Sequence, residues 1–327
     1  MQQLLQLLAD GCFHSGETLA ASLGISRSAV WKRLQVLQQT LGLELFAVRG
    51  KGYKLARPLQ LLDAVQLCGQ LEQTLLAEVI PDIEVHLSLD STNRHALELA
   101  KQRPQQRRLV IAERQSAGRG RRGRRWVSPF GRNLYLSLYW WFDAIPPTVT
   151  SLSLAIGVVL AKCLEAAGIP HCELKWPNDV HYQGQKLAGI LLEMQVEAGG
   201  GCGVVIGIGV NLDMPTTAAE GIGQAWTDVR RITDKEIDRH EFTCQLVSDL
   251  LNVLQQYSHS ALPDWHAEWQ QRDVLQGQQV NVALNNETFE GISRGVDAQG
   301  ALLLEQHGQV RRLFSGDVSV RLAEHNR

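Results

Sequence analysis

The sequence predicts an α+β protein in three parts, and three observations carry that reading. Residues 1–56 hold three short amphipathic helical patterns followed by a glycine-punctuated hairpin. From about residue 83 to 214, apolar strand-like runs alternate with one long apolar helix, and beyond Gln276 only short strands remain, separated by Asn, Asp and Gly turns. The expected parts are a winged helix-turn-helix with its linker (1–63), a central mixed-sheet α/β domain (64–273) and a small antiparallel β-barrel (274–327).

Composition sets the class. A chain of 327 residues with 44% hydrophobic and 20% charged side chains can fill such cores and is too apolar for disorder. MQQLLQLLADG at the start has no positive n-region or small-residue cleavage site, and no apolar run is expected to approach the ~18 residues of a membrane span. The expectation is a cytoplasmic protein without a membrane partner. Six cysteines without a Cys-x-x-Cys pair sit mostly in apolar segments, which predicts buried free thiols.

The N-terminal elements follow in order. Leucines recur at helical spacing in 2-QQLLQLLAD-10; Ser15 or Gly16 can cap 17-ETLAASLG-24, and Ser26 can cap 27-RSAVWKRLQVLQQ-39. Gly24 in the turn and a third helix carrying Arg27, Ser28, Trp31, Lys32 and Arg33 fit a helix-turn-helix whose last helix enters a major groove. The hairpin 43-LELFAVRGKGYKLA-56 forms the wing, with Arg49 and Lys51 on its turn. Residues 1–56 hold six Lys/Arg against three Asp/Glu, so a net charge of −2 conceals a basic module. A packing module with a solvated basic face is the competing reading.

Between the strands 109-LVIAE-113 and 134-LYLSLYW-140 lies 118-GRGRRGRRW-126. It contains Gly-x-Gly-x-x-Gly, but the dinucleotide fingerprint needs a helix opening at the glycines, and here Pro129, Gly131 and a strand follow. Arg119, Arg121, Arg122, Arg124 and Arg125 have no Asp or Glu nearby in sequence, so they read as an anion-binding loop that a ligand orders, with Trp126 free to stack on a base. Three further stretches read as sites. Ser91, Thr92 and Asn93 either cap a helix or bind a polar head group; Lys175 and Lys186 bracket turns and can reach one anion. Asn178 or Asp179 can face Mg2+ or simply form an Asx turn, and Gly207 and Gly209 allow close approach to a strand ending at Asn211. Residues 148–168 read as a core helix stopped at Gly168. The strands after residue 276 show no chemistry of their own.

DSTN (90–93), GRGRRGRRW (118–126), KWPND (175–179), KLAGIL (186–191) and GIGVN (207–211), in that order, resemble the bifunctional biotin protein ligases that also repress the biotin biosynthesis operon. The likeness spans essentially the whole chain; Arg125 stands where such proteins commonly have Lys. It implies a class II synthetase-like ligase domain and an SH3-like barrel. It also implies that biotin and ATP form biotinyl-5'-AMP, from which biotin passes to a lysine of the biotin carboxyl carrier protein of acetyl-CoA carboxylase. By the same resemblance Ser91, Thr92, Asn93 and Gln115 hold biotin's ring, and Arg119, Gly120, Arg121 and Lys186 hold its carboxylate end. Arg119, Arg121, Arg122, Arg124, Trp126, Lys175, Asn178 and Asn211 face ATP or the adenylate, Arg121 and Lys186 are catalytic, and Asp179 contacts Mg2+. The adenylate is expected to drive homodimerisation and binding to operator DNA through Ser26, Arg27, Ser28, Trp31, Lys32, Arg33, Arg49 and Lys51. A lipoate ligase would lack the winged helix and this arginine loop; a sensor without catalysis would release no pyrophosphate.

Overall fold

The computed structural model describes residues 1–322 except 147, 148, 198, 259–264, 285, 286, 315 and 317. Three helices open the chain: α1 (Gln2–Leu8), α2 (Gly16–Leu23) and α3 (Arg27–Leu41). Ser15 Oγ accepts from Thr18 N and Ser26 Oγ from Ala29 N, so both expected serine caps are made. Gly24, at φ 61°, ends α2 in the left-handed conformation that lets the chain turn straight into α3. The wing is the antiparallel pair β1 (Leu45–Val48) and β2 (Gly52–Leu55). Leu4, Leu5, Leu8, Val30 and Leu34 form the module's core together with Leu59 and Phe130, which lie outside it, so the winged helix packs on the rest of the protein.

The expected linker is tied down. Leu62 N donates to Glu113 Oε1 at 2.6 Å, and Arg239 bonds both Gln60 O at 2.5 Å and Glu113 Oε2 at 2.8 Å. Asp63 then caps α4 (Ala64–Leu71). The central sheet collects β3 (Asp82–His86), β4 (Arg108–Ala112), β5 (Leu134–Phe142), β6 (Glu173–Lys175), β7 (Asp179–Tyr182), β8 (Gln185–Val196) and β9 (Cys202–Val210) in the order β3-β4-β5-β9-β8-β7-β6. Only β3 and β4 run parallel; each other neighbouring pair is antiparallel, giving the expected mixed sheet. Helix α5 (Thr92–Gln102) packs on β4, β5 and β9, while α6 (Leu152–Ala166) packs on β6, β7 and β8.

One expectation fails at α6. Residues 149–166 reach a mean hydropathy of 1.7 over 18 residues, enough to cross a membrane by length and composition. They are 67% buried inside the protein, and α6 is the core helix the sequence predicts. Helices α7 (Val229–Thr233), α8 (Arg239–Ser258) and α9 (Trp265–Arg272) follow, and α8 and α9 pack against α6.

The C-terminal sheet holds β10 (Gln279–Leu284), β11 (Glu287–Val296), β12 (Leu302–Gln306), β13 (Gln309–Leu313) and β14 (Ser319–Leu322), ordered β13-β12-β11-β10-β14 and antiparallel throughout. Four of these strands are expected from sequence; β14 is an addition. Among the described residues β13 and β14 do not pair with each other, so the small domain is an open barrel-like sheet. Trp176 Nε1 donates to Gly300 O at 3.1 Å and helps dock this sheet on the central domain.

Candidate functional site: a cation-lined cavity

A cavity of about 830 Å³ opens between the central sheet, the arginine loop and the C-terminal sheet. Every residue that the sequence places against biotin, ATP or Mg2+ lines it: Ser91, Thr92 and Asn93; Gln115; Arg119 to Arg122, Arg124 and Trp126; Lys175, Asn178 and Asp179; Lys186 and Asn211.

One end is polar and tightly bonded. Ser91 occupies the N-cap of α5 but makes no side-chain capping bond, so the structural alternative for that residue is not realised. Thr92 N and Oγ1 both donate to Gln115 Oε1, at 2.9 and 3.2 Å. Ser137 Oγ, on β5, lies 2.7 Å from Thr92 Oγ1 and 2.6 Å from Asn93 Oδ1. Asn93 Nδ2 donates to Glu193 Oε2 at 2.8 Å, and the same carboxylate receives Arg119 at 3.1 Å. Sequence reasoning missed Ser137 and Glu193; the signal available was a polar residue inside an apolar strand, LYLSLYW and ILLEM.

The other end is aromatic. A Cβ on Gly209 would stand 2.5 Å from the Trp126 indole, and one on Gly207 would stand 2.1 Å from Asn93 Oδ1. The close approach that these glycines permit is thus made by the protein's own side chains. Since Gly207 and Gly209 share one face of β9 two residues apart, Asn93 and Trp126 sit about 7 Å from each other along the sheet. Gly189, paired with Gly209 on β8, clears the same ring.

The arginine loop closes on itself, with Gly120 N donating to Arg124 O at 2.7 Å and Trp126 N to Gly118 O at 2.8 Å. Its turn uses left-handed Arg122 and Gly123, at φ 57° and 71°; β5 follows, so the glycine pattern opens no helix. These arginines have no partner nearby in sequence, as expected, but two of them find distant ones. Arg119 pairs with Glu193, and Arg121 donates to Gly316 O at 2.6 Å in the C-terminal domain. Both partners are far away in sequence. Among the described residues Arg122, Arg124 and Arg125 are exposed and form no salt bridge.

Lys186 Nζ lies 2.7 Å from Asp179 Oδ1 and 5.4 Å from the centre of the Trp126 ring. Asn178 Nδ2 donates to Ile190 O at 2.5 Å and holds the turn before β7 against β8. Burial pushes the Lys175 ammonium below the usual lysine range; Asp179 opposes that, while Lys186, Arg321 and Arg124 add to it. The C-terminal strands do contribute to the site, contrary to expectation: Val318 to Arg321 line the cavity. So does 220-EGIGQAW-226, which pairs with Lys186 through Lys186 N to Ala225 O and Thr227 N to Lys186 O, both at 3.0 Å. Eight cationic side chains against two carboxylates, Asp179 and Glu220, leave the lining strongly positive.

In the winged helix Ser26, Arg27, Ser28, Trp31 and Lys32 are exposed on α3 and Arg33 is half-buried, while Arg49 and Lys51 are exposed on the wing. An exposed helix with a basic hairpin beside it, joined to a cation-lined pocket with an aromatic wall, defines a DNA-binding protein that also handles an anionic ligand.

Comparison with known proteins sharpens that class. Residues 1–54 match the HTH domain, 86–211 the biotin/lipoate A/B protein ligase family and 276–321 the biotin protein ligase C terminal domain. The bifunctional ligase/repressor BirA of Escherichia coli is 40% identical over 98% of this chain and 97% of its own length; that of Bacillus subtilis is 30% identical over 94% of each. The structure of a biotin protein ligase from Aquifex aeolicus in complex with biotin and ATP superposes with a TM-score of 0.62 at 25% identity, covering 75% of this chain and 100% of that one. The chain belongs to the family of bifunctional biotin protein ligases and repressors.

Proposed function

We propose that the cavity joins biotin to ATP and then passes biotin to a lysine of the biotin carboxyl carrier protein, and that the intermediate, biotinyl-5'-AMP, is also the corepressor. The supporting observation is the row structure of the cavity: a hydroxyl and amide cluster at Gly207 and an indole at Gly209, with the cations around them. Ser91, Thr92, Asn93 and Gln115 take the polar ring of biotin, and Trp126 packs on adenine. Arg119, Gly120, Arg121 and Lys186 meet the carboxylate; Arg122, Arg124, Lys175, Asn178 and Asn211 face the nucleotide.

A biotin carboxylate oxygen attacks the α-phosphorus of ATP, the bond to the bridging oxygen breaks and pyrophosphate leaves. Both reactants are anions, so Arg121 and Lys186 lower the barrier by facing the negative charge that gathers on the phosphoryl oxygens. The carrier amine then attacks the acyl carbon and AMP leaves. Mg2+ fits this chain poorly as a resident ion. Asp179 already faces Lys186 at 2.7 Å, and an ion that prefers oxygen ligands finds one engaged carboxylate there. We therefore place Mg2+ on the triphosphate as it enters and assign it no residue of this chain, the expected Asp179 included.

For the regulatory half, the adenylate joins the arginine loop to the C-terminal strands, and two copies then present two winged helices to an operator. Cys12, Cys68, Cys163, Cys172, Cys202 and Cys244 are all free, which suits a reducing cytoplasm. The catalytic claim is tested by mixing the protein with biotin, ATP and carrier domain. Pyrophosphate release matched by biotin on the carrier lysine supports it; release with lipoate in preference to biotin, or none, defeats it.

A further inference from the structure

Three side chains that do not line the cavity converge where β3 meets α5. Glu84 and His86, two residues apart, share one face of the edge strand β3, and His95 stands on α5. Glu84 Oε2 lies 2.9 Å from His86 Nε2 and 3.0 Å from His95 Nε2. The two rings meet edge-on with centroids 4.8 Å apart, and the three candidate ligand atoms all lie within 4.8 Å of one another. The side chains are 33%, 32% and 30% exposed, so solvent ions can reach them.

We propose that Glu84, His86 and His95 form a binding site for a divalent transition-metal ion of the zinc class, with water completing the coordination. Two imidazole nitrogens and one carboxylate suit Zn2+ or Co2+, whereas Mg2+ and Ca2+ favour all-oxygen sets. Tetrahedral ligands on such bonds stand roughly 3.4 Å apart, so the carboxylate-to-imidazole spacings have to open by a few tenths of an ångström and the two imidazole nitrogens, within 4.8 Å of each other, have to draw together by a rotation of their side chains. An ionised carboxylate only accepts, so the metal-free rings hold their Nε2 protons toward Glu84; when the ion takes that place each ring gives up its Nε2 proton to solvent and carries its one N–H on Nδ1, taken from solvent. Arg108 NH1 stands 3.9 Å from Glu84 Oε1, the other oxygen of the same carboxylate, and orients it. Asp82, 3.8 Å from the same guanidinium nitrogen, offsets part of the charge that this cation sets against the metal.

A bound ion clamps α5 to β3. His95 N donates to Ser91 O at 3.1 Å, so the clamp sits one helical turn from the end of α5 that carries Ser91, Thr92 and Asn93.

The test uses full-length protein stripped with a chelator, carrying Cys12→Ser to remove the exposed thiol, and titrated with Co2+ alone. One equivalent should bind with the visible bands of four-coordinate Co2+ and without a thiolate charge-transfer band. His86→Gln and His95→Gln, each checked by circular dichroism for retained fold, should weaken binding at least about 10-fold. Zn2+ at ~100 times its Kd should raise Tm by about 3 °C in the parent and not in either variant. The site is refuted if the parent gives no such spectrum, or if spectrum and Tm shift survive in both variants.

Discussion

The Trp126 ring lies where a methyl group on Gly209 would stand, 2.5 Å away, and where one on Gly189 would press at 3.1 Å. Gly209→Ala is therefore expected to push the indole off β9 and weaken ATP binding about 5- to 100-fold, the range that loss of base stacking produces. Biotin binding should change far less, and separate calorimetric titrations with each ligand check the split. Arg121→Gly removes a charged donor from the C-terminal strands and, on the proposed function, from the substrate anions; retention of biotinyl-5'-AMP should fall about 10- to 100-fold with the fold intact, measured as the release rate of the labelled intermediate. Lys175 predicts a pH effect. A lysine is cationic below its pKa, and burial lowers this one, so the cation is lost as pH rises and earlier than for an exposed lysine. kcat/KM for ATP, which reports the free enzyme, should fall on the alkaline side, and Lys175→Arg should flatten that limb.

Elements divide by how local their causes are. The caps at Ser15 and Ser26, the turn at Gly24 and the stop at Gly168 are legible because each depends on a few neighbouring residues. Residues from five short motifs line one cavity, but the partners that set its charge were not legible. Arg119 finds Glu193 and Arg121 finds the C-terminal strands only through the order in which strands pair, and β14 lies beside β10 although three other strands separate them in the chain. Gly207 and Gly209 announce close approach without saying what approaches. The pair Arg239–Glu113, 2.8 Å apart and nearly fully buried, joins the linker to β4 and α8 and was equally invisible. Glu113→Ala leaves that guanidinium buried without its carboxylate and should cost about 3–5 kcal/mol, read from denaturant unfolding.

The whole molecule joins a basic winged helix to a domain with a cation-lined cavity, with Phe130 of that domain built into the core of the first and Arg114, beside Gln115 of the cavity, donating to Thr40 O at the end of α3. The corepressor role proposed above requires that occupancy of the cavity bear on how the DNA-binding surfaces are presented. Arg27→Ala with Lys32→Ala should weaken operator binding and reduce its salt dependence by roughly one unit of slope for each phosphate no longer neutralised, leaving carrier biotinylation unchanged. Coupling between the cavity and the winged helix is measured most directly as operator binding by one protein sample with biotin alone, with ATP alone and with both, alongside sedimentation to follow the oligomer. Dimer formation and tight binding are expected only when both substrates are present and the adenylate can form. Equal affinity in all three mixtures would contradict that coupling, because the cavity and the winged helix would then act independently.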